Sequence, residues 1–585
     1  MEKSVTRRNF LIGGAAVSGI AALGLVGCSS TESSSGTPTA ETGSDQVITP
    51  TYPAYARTLD VTEKDIVRTE DADVVVVGSG SAGTFAAIRA AERGAHVIWL
   101  EKTTAKGGTS TITEGLTAFD GEQQRATGEA SDLNGIYTAL MDWHNWGAKT
   151  EAFQTYFDFS GKAVDWAVSH GASLVYSGNP KKPHYSPVDA QGNWMNIGTG
   201  VLTPLWEYGE TLDNLDFRLE TPAVNIIVDN GTVKGVYAQE ADGIVRINAK
   251  SVIMATGGFA SNVDMGKEWL RVPAERIKFM SFEGQDGDGI NMALAAGAAR
   301  HAPTTVNYGL TTIEGSAWDS QLTIFTVWCP SWRVDMPDAL LPAGKPLPFV
   351  NHAGVRFYNE AKLEELNTSM LNTAVSSQKA AFAVFDADHV ATYGGFGDFN
   401  YGSGISEGDF AKECENSPAV FVDDTLEGLA AQMGIDTTAF TTTIAEYNDH
   451  AATGTDADSF GTMPGEKTPV LKAPFYAAKI VACAYGTNGG VSTDYWCRAV
   501  NSDGDIVEGL YAAGQDNGSM YFNDYPYELR TYARQQIIRE SYITERSLVT
   551  SCQLINTVRS DNNPQGFIIE RFTVLENKDL NRYER

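Results

Sequence analysis

The hexapeptide Gly78-Ser79-Gly80-Ser81-Ala82-Gly83 has the spacing of a turn that cradles a pyrophosphate. Its first glycine makes the tight turn, its second lets the backbone approach the phosphates, and Gly83 lets a helix pack closely on a strand. About twenty residues further on stands Glu101, a carboxylate placed to bind ribose hydroxyls. The chemistry that such a pair supports is dinucleotide binding, with the phosphates at the positive end of a helix.

These residues need particular elements to hold them. Asp73-Val74-Val75-Val76-Val77 is a continuous β-branched run, which predicts a strand buried on both faces of a parallel sheet. The alanine-rich stretch from Thr84 to Arg93 predicts the helix that follows the turn. A second strand, Ala95 to Leu100, delivers Glu101. A lone glycine motif is weak, but strand, glycines, helix, strand and acid in this order are specific. Asp229-Asn230-Gly231 and Asp242-Gly243 predict hairpin turns. The fold class is therefore α/β, with a dinucleotide-binding, Rossmann-like domain.

Further segments carry a family resemblance. Lys102-Thr103 and Gly107-Gly108-Thr109-Ser110 resemble the stretch that lies along the FAD pyrophosphate and flavin in the fumarate reductase and flavocytochrome c flavoprotein family. The likeness continues at Thr221-Pro222-Ala223-Val224, where backbone would meet the adenine. It includes Ala255-Thr256-Gly257-Gly258, the segment Gly284-Gln285-Asp286-Gly287-Asp288-Gly289, and Gly514-Gln515-Asp516. The resemblance implies FAD as cofactor and an α+β capping domain inserted into the FAD domain. It divides the chain into 68–302 and 486–545 for the FAD domain and 303–485 for the cap.

At the active site the sequence departs from that family. The resemblance implies an arginine proton donor shortly after Gly354-Val355-Arg356-Phe357, but Ala361 to Leu366 contains none. Arg356 itself is expected to be structural. Family histidines are replaced by Tyr308 and by Tyr485, the latter within Tyr485-Gly486-Thr487-Asn488-Gly489-Gly490. The carboxylate-binding arginine segment reads Asn523-Asp524-Tyr525-Pro526. A buried carboxylate such as Asp524 would repel a dicarboxylate, so fumarate is not the expected substrate. Tyr308 or Tyr485 is the expected proton donor to a mostly uncharged or aromatic molecule with an activated C=C. A dehydrogenase acting on ketosteroids, which shares the Gly-Thr-x-Gly-Gly pattern after tyrosine, and a non-catalytic flavin lipoprotein are the alternatives.

The formal net charge of −30 argues against a nucleic-acid partner. Six cysteines are too few and too scattered for a disulfide scaffold or a zinc site, so no metal is expected. No C-x-x-C-H occurs, so electrons are expected from a separate cytochrome or flavin carrier linked to membrane quinol. Arg7-Arg8 before the apolar stretch Leu11 to Val26 reads as a twin-arginine export signal. Leu25-Val26-Gly27-Cys28 resembles a lipobox, so residues 1–28 are read as signal and lipid anchor on Cys28, and 29–67 as a flexible tether. The expected location is extracytoplasmic. After Tyr527 the resemblance fails, and the glycine-poor stretch to Arg585, atypical from 546 on, reads as an end replaced through a changed reading frame or truncation more than as a native variant.

Overall fold

A computed structural model of the chain describes residues 60–523, apart from 114, 182, 280–283, 309–311, 314–346, 361–367 and 394–413. Residues 1–28, read as export signal and lipid anchor, together with Asp524 and the stretch read as an atypical tail, lie outside the described residues.

The valine run is the inner end of a longer strand, Ile66–Val77, which begins inside the stretch read as tether. Its outer half alternates half-buried and exposed positions, and its last four residues, Val74 to Val77, are buried. The strand pairs in parallel with Val97–Leu100 on one side and Gly243–Met254 on the other. Leu215–Arg218 extends this sheet beyond Val97–Leu100, and Ile506–Ala512 extends it beyond Gly243–Met254, both in parallel. An antiparallel hairpin, Ala223–Asp229 with Thr232–Glu240, joins the same sheet. Asn230 and Gly231 both have positive φ, as a two-residue type I′ turn requires.

Helix Ser81–Glu92 starts three residues earlier than the alanine pattern alone predicts, directly behind the glycine turn. Almost all of its residues are buried, because alanine side chains let it lie close against the sheet on Val74, Val76 and Val97. Trp99 locks that packing by donating from Nε1 to the Gly78 carbonyl at 2.8 Å.

A second sheet is built around one long strand, Phe475–Val491. Ile277–Phe279 pairs with it in parallel, and Arg300–Tyr308, Ala381–Asp386 and Val420–Asp423 pair antiparallel. This sheet therefore takes its strands from both sides of the expected 303–485 boundaries. It has its own core, including Phe349, Phe385 and Ile480. Beside it, Arg356 forms an ion-pair cluster with Glu360 and Asp458, and Lys467 donates to Asp458 at 2.6 Å. Burial works against the Arg356 charge, and its two carboxylates outweigh it, holding the guanidinium above its ordinary pKa. Among the described residues no helix is long and apolar enough to cross a membrane.

The end of the described chain is fastened by a histidine. Helix Leu133–Trp143 ends at His144, whose Nδ1 accepts from the backbone N–H groups of Phe522 and Asn523 at 3.3 and 3.1 Å. Burial pushes its pKa down to about 3, and burial likewise pushes that of His389 down to about 4. Both are therefore neutral in the fold at pH values where the unfolded chain protonates them. Between the unfolded value of 6.5 and these folded values, the unfolded state binds more protons, so stability falls as pH falls. Above 6.5 the stability is fully present. The expected loss for His144 is on the order of 3 kcal/mol by pH 4. Denaturant unfolding at a series of pH values checks this, and His144→Asn, which keeps an acceptor without titrating, should flatten the profile. A wild-type profile already flat over that range contradicts it.

Candidate active site

The two glycines that close the turn cannot carry side chains. A Cβ on Gly78 would lie 2.2 Å from the Ala255 carbonyl oxygen, and one on Gly83 would lie 1.9 Å from that of Gly78. The turn is thus wedged between helix and sheet, and the helix start is left open. Its N-cap residue, Gly80, has no side chain to offer and no acidic residue stands in its first turn, although the Ser81 N–H is met by the Ser110 hydroxyl at 3.1 Å. An anionic group placed there would meet the positive end of the helix with no carboxylate in the way.

Glu101 lines the same cavity, but its oxygens are already engaged. Oε2 accepts from the Ser79 backbone N–H at 3.0 Å and its hydroxyl at 2.6 Å; Oε1 accepts from both the Thr103 N–H and hydroxyl at 2.9 Å. The Thr103 hydroxyl also lies 2.8 Å from the Ala105 carbonyl and its one proton serves one acceptor at a time, so three donors hold the carboxylate throughout and a ribose diol would have to share it with them. Glu101 is therefore first a staple between the turn and the strand end. Ser79 extends the staple, because its Oγ accepts from the Gly107 N–H at 2.9 Å. Glu101→Gln is expected to lower apo-protein stability by ~1.5–3 kcal/mol and dinucleotide affinity together. Melting and binding titrations check this, and a variant that loses affinity alone contradicts the stapling role.

The cavity encloses about 490 Å³, and Gly80, Ala82, Lys102, Thr103 and Gly107 to Ser110 line it beside Glu101. Lys102 donates to Asp286 at 2.9 Å and Asp288 at 2.8 Å. Burial pulls its ammonium pKa down, and the two aspartates outweigh this and hold it above the ordinary value. Lys106, also on the wall, is paired with Glu210 at 2.8 Å. The far wall holds Ala223, Ala255, Thr256, Gly257, Gln285, Asp288, Gly514 and Gln515.

Several expected cofactor residues stand behind this surface. Ser81 donates its N–H to the Ser110 hydroxyl at 3.1 Å, and Gly83 supports the turn as described. Val224 follows Ala223 in its strand without lining the cavity. Asp516 is buried and ties two loops together, accepting from the Thr256 N–H at 2.6 Å, its hydroxyl at 2.8 Å and the Gly258 N–H at 3.0 Å. Asp516 and Gly258 thus shape the wall without forming it. Gln285 lies in the Gly284–Gly289 segment that carries the family resemblance, of which only Asp288 was singled out as a cofactor residue.

The expected proton donors lie on neighbouring strands. Tyr308 is in register with Ala484, the residue before Tyr485, and Asn307 is in register with Gly486. Tyr485 is half-buried. The strand carrying it abuts the cavity wall: a Cβ on Gly486 would fall 2.6 Å from the Gln515 carboxamide, and one on Gly490 2.2 Å from the Asp516 carbonyl oxygen. That contact explains the glycines after the tyrosine. Trp206 packs against Gly107 at the cavity, whereas Trp146 and Trp194 are exposed.

A helix start free of acidic side chains, behind glycines that admit no side chain and opening on this cavity, fits a bound dinucleotide. The comparisons with known proteins agree. A family model described as an FAD binding domain matches residues 73–524. A vinyl phenol reductase from Lactiplantibacillus plantarum is 28% identical over 474 residues, covering 77% of this chain and 91% of that protein. A fumarate reductase (cytochrome) from Shewanella frigidimarina is 27% identical, over 77% of this chain and 72% of that one. The crystal structure of a 3-ketosteroid Δ1-dehydrogenase from Sterolibacterium denitrificans has the same fold, with a TM-score of 0.63 at 19% identity over 84% of this chain and 99% of that one. Matched over most of its length, the chain belongs to this FAD-binding family of fumarate reductase-like flavoproteins and is an FAD-dependent oxidoreductase.

Proposed function

We propose that this oxidoreductase acts on CH–CH groups, reducing the activated C=C of an unsaturated organic acceptor such as an enoate, enone or vinyl phenol. FAD, when bound, supplies the hydride. Tyr308 or Tyr485 donates the proton to the carbon next to the one that receives it, so that two electrons and two protons convert the alkene to the saturated product. The observation that carries this reading is the register that sets Tyr308 beside the Ala484–Tyr485 step, on a strand touching the cavity wall.

The sequence favours an acceptor that is not a dicarboxylate, because the segments in which the family resemblance implies carboxylate-binding histidines and an arginine carry Tyr308, Tyr485 and Asn523-Asp524 here. The similarity to a vinyl phenol reductase supports an aromatic or monoanionic acceptor. The second sheet, built on Phe475–Val491, would serve as the cap over the substrate. Arg7-Arg8 and Cys28 support twin-arginine export and lipid anchoring, with electrons arriving from a quinol-linked cytochrome or flavin carrier.

A second reading runs the reaction in the opposite direction, on a saturated ketosteroid. It is favoured by the shared fold of the ketosteroid dehydrogenase and by Tyr485-Gly486-Thr487-Asn488-Gly489-Gly490. Oxidation of reduced viologen across vinyl phenols, cinnamates, acrylate, fumarate and enones separates the two. Turnover with a vinyl phenol, enoate or enone, and little with fumarate, is the expected result. Dye reduction by a saturated ketosteroid, with no alkene turned over, would favour the second reading.

A further inference from the structure

Strand Phe475–Val491 shifts register at one of the two expected proton donors. Asn307 pairs with Gly486, and the next residue, Tyr308, pairs with Ala484. Tyr485 is therefore the extra residue of a β-bulge, skipped by the register. Ile277–Phe279 also pairs with this stretch and ends at Ala484, one residue short of the tyrosine. In an unbroken strand side chains alternate between faces, so Tyr485 would face away from the side of Gly486, where a Cβ would fall 2.6 Å from the Gln515 carboxamide. A bulge ends that alternation and re-aims the side chain of its extra residue.

What holds the bulge comes from another element. Two residues before Tyr485, the Cys483 N–H donates to Asn372 Oδ1 at 2.8 Å. Asn372 lies on helix Thr368–Ser376 and is fully buried, and its neighbours Leu371 and Val375 are packed into the core of the second sheet. The acceptor is thus carried by a packed helix and not by a loop. A buried N–H that loses its acceptor costs free energy until the strand shifts to satisfy it, and the ladder is weakest at the bulge. We infer that Asn372 is a positioning residue for Tyr485: by holding the Cys483 N–H it fixes the bulge that turns the tyrosine towards the face shared with Gly486. The inference rests on the reading of Tyr485 as proton donor, and it concerns neither the cofactor nor the residues that line its cavity.

The test is a double-mutant cycle on turnover of the acceptor that oxidises reduced viologen fastest, with flavin occupancy measured on every sample. Asn372→Leu keeps the size of the side chain and removes its acceptor. It should slow turnover on the order of 10- to 100-fold, the cost of misplacing a catalytic group by about 1 Å, with flavin occupancy unchanged. In a Tyr485→Phe background the same substitution should cost less than about twofold, because no hydroxyl is left to position. Asn372→Asp, which keeps an acceptor in the same place, should recover most of the loss. Asn372→Ser, too short to reach Cys483, is a second variant expected to behave as Asn372→Leu, and it carries the test if the leucine impairs folding. An equal loss in both backgrounds would show a general packing role and overturn the inference while leaving Tyr485 as donor. Full turnover in both Asn372→Leu and Asn372→Ser would do the same. Undiminished turnover in Tyr485→Phe alone would overturn the donor reading and the inference with it.

Discussion

Gly83→Ala is expected to give a colourless protein. The added Cβ would lie 1.9 Å from the Gly78 carbonyl oxygen, a backbone atom that cannot swing aside as a side-chain tip could. Relief requires the helix to move off the sheet, and with it the N–H groups that would face the pyrophosphate. The strain is large enough, at ~3–5 kcal/mol, to abolish flavin retention and to lower the melting temperature. Gly465→Ala is the matched control, because a Cβ there meets nothing within 4 Å. Absorbance and thermal melting of the two variants, purified in parallel, check this. A Gly83→Ala protein that remains yellow with full occupancy would show that the turn does not hold the cofactor.

The second large effect concerns turnover. Replacing both Tyr308 and Tyr485 by phenylalanine is expected to slow reduction of the acceptor by roughly 10²–10⁴-fold, the range that a positioned general acid supplies. The flavin should stay bound, because Tyr485 is not among the described residues that line the cavity in which the dinucleotide sits. The single variants assign the role, since the true donor should account for most of the loss on its own. Steady-state rates with flavin occupancy measured on the same samples decide this. Undiminished turnover in the double variant, with flavin in place, would remove both tyrosines from the chemistry.

The glycine turn, its two strands and its helix were legible in the sequence because each carries a local signal: a run of valines, a run of alanines, glycines at fixed offsets. The Asn230-Gly231 hairpin was legible for the same reason. The outer half of the first strand was not. The tether was read to end at residue 67, whereas the strand already starts at Ile66, and its charged residues Arg68 and Glu70 pair with Glu240 and Arg218 of strands distant in sequence. Such compensation exists only in three dimensions. The same holds for Glu101, whose spacing marks it as a ribose ligand but cannot show that Ser79 and Thr103 already occupy it. Asp516 was expected against the cofactor and instead ties Thr256 to Gly258 behind the wall. Its role depends on a loop contact that spans about half the described chain.

Tyr308 and Tyr485 sit between these cases. The family resemblance marks both tyrosines, and strand register is what brings their backbones together. Sequence alone had no means of fixing that register, because the partner strands are separated by most of the second sheet.

The most direct test of the account is a single-turnover experiment on the flavin itself. Protein reduced anaerobically, freed of excess reductant and mixed with a vinyl phenol should regain its oxidised flavin absorbance as the saturated phenol forms, one product per flavin, while fumarate leaves it bleached. Reoxidation by fumarate and not by the vinyl phenol, or a purified protein that shows no flavin band after reconstitution with FAD, would contradict it.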